Sequence, residues 1–225
     1  MRLYLKYALV AIVVIDISSA IAGSYEDFFT ALKRDEPAVV GSLLERGFDA
    51  NSPSPEGLDG LYLALRDGSL KAAAVLAGWP RANVDTRTPR DETPLMIACL
   101  KGHLEIARML VARGADVNKT GWTPLHYASS GGHVALIQML VDENAYIDAE
   151  SPNGTTPLMM AAMYGSPEAV KVLLDAGADP AVKNQLGLAA ADFASQAGRH
   201  ELAKSLAAAA QAFNRRYRGP ARDLS

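Results

Sequence analysis

The sequence predicts an all-α solenoid of about six helix–turn–helix repeats joined by short loops. Three observations carry this expectation. The triplet Thr-Pro-Leu recurs at Thr93, Thr123 and Thr156, each time followed in register by a glycine. An alanine recurs in the first helix of each unit, at Ala31, Ala64, Ala98, Ala128, Ala161 and Ala194, with steps of 33, 34, 30, 33 and 33 residues. Apolar residues between these markers follow helical rather than alternating spacing.

The unit is clearest in GWTPLHYASSGGHVALIQML, Gly121 to Leu140. Thr123 suits an N-cap, because its hydroxyl can accept a free N–H of the first turn. Pro124 follows at the first helical position, where a missing N–H costs nothing. Leu125, Ala128 and Ser129 share one face, and Gly131 and Gly132 stop the helix. A second helix starts near His133, with Val134, Ile137, Leu140 and Val141 as its apolar stripe. Asn144 then supplies a residue that tolerates the left-handed conformation of a helix end. ETPLMIACLKGHLEIARMLVARGADVN (Glu92 to Asn118) and TTPLMMAAMYGSPEAVKVLLDAGADPAVKN (Thr155 to Asn184) repeat the pattern.

Three Thr-Pro-Leu starts, with Gly-His at Gly102-His103 and Gly132-His133 and Gly-Ala-Asp at Gly114 and Gly177, resemble the ankyrin repeat. The resemblance extends from about Tyr25 to Ala210, with repeats at about 25–57, 58–91, 92–121, 122–154, 155–187 and 188–213, and implies short β-hairpin-like finger loops between them. The outer units are degenerate, as terminal repeats that close a core against water must be. The first has Phe28 and Phe29 in place of the small-residue start, and Gly47-Phe48-Asp49 in place of Gly-Ala-Asp. The second keeps Ala64 and Gly68, continues its stripe through Leu70, Val75 and Leu76, and leaves by Gly78-Trp79-Pro80-Arg81-Ala82 with one extra residue. The last has Ala189-Ala190-Ala191 where Thr-Pro-Leu would stand, and residues 214–225 read as a flexible tail. The 30-residue step falls between Asn118 and Gly121, where only Lys119 and Thr120 remain. A notch in the row of fingers is expected there, with the helices on either side still stacked.

Residues 1–22 read as a secretion signal. Arg2 and Lys6 give a positive start, Tyr7 to Ile15 is apolar, and Ala20-Ile21-Ala22 fits a cleavage site before Gly23. The apolar run is short for a membrane span, which needs about 20 residues. Asp16 interrupts it, and an uncleaved anchor is the competing reading. The expected location is therefore periplasmic or secreted, and the whole resembles small exported bacterial ankyrin repeat proteins.

Chemistry is sparse. The net charge of −3 provides no basic field for nucleic acid. Cys99 is the single cysteine and reads as a small core residue. His103, His126, His133 and His200 match no zinc spacing, and no phosphate loop, nucleophile elbow or paired-carboxylate motif appears. The resemblance gives His126 a structural hydrogen-bonding role. No enzyme activity, cofactor or metal is expected.

Surface remains. The resemblance implies that first helices and fingers bind proteins. The positions the repeat leaves free are Arg66 and Asp67, Leu100 and Lys101, Ser130 and Gly131, Met163 and Tyr164, and Gln196 and Ala197. In the fingers they are Leu58, Arg90, Glu92, Trp122 and Thr155. Arg66, Arg90, Lys101, Trp122, Met163 and Tyr164 are the expected partner-binding residues of a monomeric scaffold. The alternative is an exported metal-binding or ligand-binding stress protein, with thioethers at Met159, Met160 and Met163. Arg215-Arg216-Tyr217-Arg218 reads as a solvated end, with contact to anionic lipid or an acidic partner as its alternative. The signal reading is open to direct measurement. Mass spectrometry of the native protein should find a mature chain starting at Gly23, and an intact Met1 in a membrane fraction would establish the anchor instead.

Overall fold

A computed structural model describes residues 23–217, and all twelve of its helices belong to consecutive antiparallel pairs. The signal-like segment 1–22 lies outside the described residues. The chain divides into two compact units, Met1–Thr88 and Pro89–Ser225.

In the first unit α1 (23–33) pairs with α2 (Pro37–Glu45), and α3 (Gly60–Asp67) pairs with α4 (Leu70–Gly78). The phenylalanines that replace the usual small start build the end of the core. Phe28 is fully buried and its ring lies 4.5 Å from Phe48 and 5.2 Å from Phe29. Asp59 caps α3 by accepting the Tyr62 N–H at 2.8 Å. Asp35, left-handed at φ 53°, reaches the next pair and accepts the Ala72 N–H in the first turn of α4. Ser69 makes no such side-chain cap, so the neighbouring repeat supplies it. The stripe of α4 is Ala72, Ala73, Leu76 and Ala77, whereas Leu70 is 36% exposed. The expectation that Leu70 continues the stripe is corrected, because at the first position of the helix it points away from the packed face.

The second unit holds α5 (Pro94–Lys101), α6 (Leu104–Ala112), α7 (Pro124–Gly131), α8 (Val134–Asp142), α9 (Pro157–Met163), α10 (Pro167–Asp175), α11 (Ala190–Gln196) and α12 (His200–Tyr217). The first helices form one layer in which α5 packs on α7, α7 on α9, and α9 on α11. The second helices α6, α8 and α10 form the other layer. Ala98, Ala128, Ala161 and Ala194 are fully buried, so small side chains set the close spacing of the first layer. In α8 the buried residues are Leu136, Ile137, Met139 and Leu140, with Val134 and Val141 only half-buried. The stripe is thus rotated from the one read off the sequence. Asn144 is left-handed at φ 61°, as its place after α8 predicts.

No strand occurs among the described residues, apart from one isolated antiparallel bridge between Pro53 and Asp59. The fingers are short hairpin-like turns, closed at Ser54 N–H to Leu58 O, Ser151 N–H to Thr155 O and Asn184 N–H to Leu188 O. One further expectation is corrected. The last helix runs through Tyr217, so residues 214–217 of the expected tail are helical. Residues 218–225 lie outside the described residues.

Successive repeats in each unit tie their loops together. Asn51 accepts the Asn83 N–H at 2.7 Å, Asn118 the Tyr146 N–H at 2.8 Å, and Asp148 the Asp179 N–H at 3.1 Å. These acceptors occupy one position of the repeat. A second ladder crosses the helix ends. His133 Nε2 meets Leu100 O at 3.0 Å, Ser166 Oγ donates to Gly132 O at 3.4 Å, and Arg199 donates to the carbonyls of Ala161 and Ala162. Each residue follows a Gly and satisfies C-terminal carbonyls of the preceding first helix.

Gly165 marks the tightest approach. A Cβ there would stand 2.3 Å from Ser129 O and 2.9 Å from Ala161 Cα, both backbone atoms that cannot swing aside. Gly165→Ala should cost about 1–3 kcal/mol in urea unfolding. Gly41→Ala, in helix α2 with nothing within 4 Å of the new methyl, should instead raise stability by about 0.5–1 kcal/mol.

Candidate functional site

The first helices α5, α7 and α9 start alike. Thr93 accepts the Met96 N–H at 3.2 Å and Thr156 the Met159 N–H at 3.4 Å. The side chain of the fourth residue answers back. Met96 Sδ accepts the Thr93 N–H and Met159 Sδ accepts the Thr156 N–H, both at 3.4 Å. In α7 the imidazole of His126 takes that place. Its Nδ1 accepts the Thr123 N–H at 3.1 Å and lies 2.8 Å from Thr123 Oγ1. Nδ1 therefore carries no proton, and Nε2–H donates to Thr155 O in the next repeat at 2.9 Å. Burial holds the His126 pKa down, from 6.5 to about 4, with nearby Lys119 acting in the same direction and the bond to Thr155 O opposing it.

These caps bear on one member of the thioether set Met159, Met160 and Met163. Met159 is buried with its sulfur already committed to the Thr156 amide, and a soft cation would have to displace that N–H. Cys99 is fully buried, which pushes its thiol pKa up and makes it an inert core residue. No group of three or more His, Cys, Asp or Glu side chains suited to a metal occurs among the described residues.

Ahead of α7 the shortened junction places Trp122. Its ring meets the edge of His126 at 5.1 Å and 74°. Together with Leu100, Tyr127, Ser130 and Met160 these two rings line an open pocket of about 210 Å³ on the layer of first helices. Tyr127 is half-buried, with its hydroxyl 3.5 Å from Glu92 Oε1. Burial and that carboxylate push its pKa up to about 12. The pocket thus has apolar walls, a neutral imidazole and a neutral phenol.

The predicted site residues divide. Trp122 lines the pocket, and Leu100 and Ser130 do so with it. Lys101 is exposed in the last turn of α5, beside Leu100. Met163 is half-buried at the end of α9, and Tyr164 is 61% exposed just beyond it. Arg90 is exposed. Arg66 belongs to the first unit, where Asp67 holds its guanidinium by two bonds of 2.7 and 3.1 Å. Among the finger positions, Thr155 is corrected. It is buried, because its N–H and carbonyl close the turn and its carbonyl also receives His126. Sequence reasoning missed Tyr127 as a surface residue, although it directly follows His126. It read Lys119 as a remnant of the loop, yet that side chain is only 1% exposed.

The match to known families decides what this architecture is. The family described as ankyrin repeats (3 copies) matches residues 28–120, 62–151, 117–184 and 143–217. The chain belongs to the ankyrin repeat family. Ankyrin repeats generally mediate protein–protein interactions, and the match indicates no catalytic family. Similar proteins include the nuclear factor NF-kappa-B p105 subunit of Gallus gallus, 33% identical over 153 residues, which span 65% of this chain and 16% of that protein. Protein fem-1 homolog A-like of Mus musculus is 32% identical over 136 residues, 59% of this chain and 21% of that one. The ankyrin repeat and KH domain-containing protein mask-1 of Caenorhabditis elegans is 32% identical over 158 residues, 68% of this chain and 6% of that one. The likeness is therefore to a minor part of much longer animal proteins, and lies in the ankyrin repeats.

The depressed His126 pKa has a signed consequence. The unfolded chain binds the proton near pH 6.5, whereas the folded chain resists it to about pH 4. Stability from the neutral imidazole is complete above pH 6.5 and falls as pH drops toward 4, by on the order of 3 kcal/mol. Unfolding titrations between pH 7.5 and 4.5 should show this slope. His126→Met, which installs the cap that Met96 and Met159 already use, should flatten it at a cost near 1 kcal/mol for the lost bond to Thr155.

Proposed function

We propose that this protein is a non-enzymatic interaction scaffold that binds a partner protein on the inner face and loops of its ankyrin repeats. The observation that supports this most is the pocket at Trp122. It opens on a surface that the repeat does not need for stacking, and it gathers Trp, Tyr and Met, the side chains that are enriched at the centres of protein interfaces. At about 210 Å³ it falls below the roughly 300–1,000 Å³ of pockets for drug-sized ligands and suits one large apolar side chain of a partner. Lys101 beside Leu100 and the exposed Tyr164 fit an acidic, partly apolar surface around that anchor. Arg90 and Met163 belong to the same proposal, and Arg66 is a separate candidate contact within the first unit.

The proposed location is outside the cytoplasm, supported by the positive start, apolar run and Ala20-Ile21-Ala22 of residues 1–22. The kinship to exported bacterial ankyrin proteins belongs to this same proposal. No helix among the described residues is long and apolar enough to cross a membrane.

The test begins with a pull-down from the exported fraction and proceeds to titration of the captured partner. Trp122→Ala and Tyr164→Ala should each weaken binding by about 2 kcal/mol if they anchor it. Tyr164→Ala should leave the melt within about 0.5 kcal/mol of the parent. Unchanged affinity in both variants would remove this face from the interface.

A further inference from the structure

Lys119 and Asp91 depart from the repeat in complementary ways. In three of the full-length loops the residue two before the helical proline or its equivalent has its carbonyl satisfied by a backbone N–H at the start of the turn. Leu58 O receives Ser54 N–H, Thr155 O receives Ser151 N–H, and Leu188 O receives Asn184 N–H. Trp122 occupies that position in the third junction of this kind, and the three missing residues remove the donor. Lys119 supplies one from its side chain. Its Nζ lies 3.1 Å from Trp122 O, 3.0 Å from Thr120 O and 2.5 Å from Asp91 Oδ2, so all three ammonium donors are used.

Asp91 is the other half. The turn position before that carbonyl residue is left-handed, and Gly fills it at Gly57, Gly121, Gly154 and Gly187, with φ between 74° and 80°. In the remaining junction Asp91 stands there at φ 61°. A non-Gly residue in this region costs roughly 1–2 kcal/mol. Its carboxylate is what meets the buried ammonium, and a buried lysine without a counter-ion would be far more costly.

We propose that Lys119, held by Asp91, is a positioning residue for the Trp122 pocket. The ammonium takes over the closing bond of the absent turn, fixes the main chain at Trp122, and so sets the wall on which the pocket depends. The binding role of that pocket rests on the reading given above; the positioning role does not require a partner to be measured.

The full chain carrying Trp79→Phe reports Trp122 alone, since these are the two tryptophans. In that background Lys119→Met should shift Trp122 emission to the red and raise its acrylamide quenching several-fold, at a temperature where circular dichroism shows the protein folded. Replacing Lys119-Thr120 with the five-residue loop 149–153 restores a backbone donor and should return both signals toward the parent. A loss of stability alone would lower the melt and leave the folded-state spectrum of Trp122 unchanged. If Lys119→Met does not fold, Asp91→Gly decides in its place, because glycine fits the left-handed turn position it already holds at the other four junctions, which offsets part of the cost of leaving the ammonium without its carboxylate, and the Asp91 side chain is 54% exposed. Parent-like emission and quenching in the deciding variant would overturn the proposal, whatever the pocket binds. A shifted Trp122 with unchanged partner affinity would uphold positioning and refute the pocket as the binding site.

Discussion

A repeat of two short helices leaves its backbone unfinished, and the next repeat completes it. Helices of seven to nine residues expose a large share of unpaired end groups. Here those groups are met across the repeat boundary. His133, Ser166 and Arg199 reach back to carbonyls of α5, α7 and α9, and His126 reaches forward to the loop before α9. Asn51, Asn118 and Asp148 tie one loop to the next. The polar bonds fix the register, and the burial of Ala98, Ala128, Ala161 and Ala194 supplies the close packing between first helices.

This arrangement allows several side chains to fill one role. Met96, His126 and Met159 all accept the N-cap amide of their helix, through a thioether in two cases and an imidazole in one. What the cap needs is an acceptor of the right reach in an apolar setting. His126 alone adds a second bond, to the next repeat, and alone introduces a titratable group. Chemistry that looks distinctive in the sequence, a histidine among methionines, is thus a variation on a structural device. The functional surface has to be sought in what the stacking leaves open.

What it leaves open is uneven. The first unit uses its bulky aromatic residues to close the core, with Phe28, Phe29 and Phe48 packed together. The second unit carries Trp122 and Tyr127 on the face of the first helices, in a pocket beside the one junction that lacks three residues. The same junction carries the Lys119–Asp91 ion pair, buried on the lysine side and half-exposed on the aspartate side.

Much of this was legible in the chain. The recurrence of Thr-Pro-Leu and of the helix alanine determined the fold, the register and the number of repeats, because capping and close packing admit few residue types at those places. The positions free to vary followed from the same logic, and of these Leu100, Lys101 and Tyr164 are exposed while Trp122 is half-buried. Other features depended on how neighbouring repeats meet. Leu70 and Thr155 were misjudged because burial at a helix start or a loop end is set by the adjacent turn, which local spacing does not encode. The fingers close as turns because one bond per loop suffices where side chains such as Ser54, Ser151 and Asn184 also accept the loop amides. Lys119 is the clearest case. Read locally, it is a charged residue in a loop, and such residues are seldom buried. Only the folded chain brings Asp91, Thr120 O and Trp122 O around its ammonium, since a salt bridge across 28 residues exists nowhere in the linear pattern until the repeats have stacked.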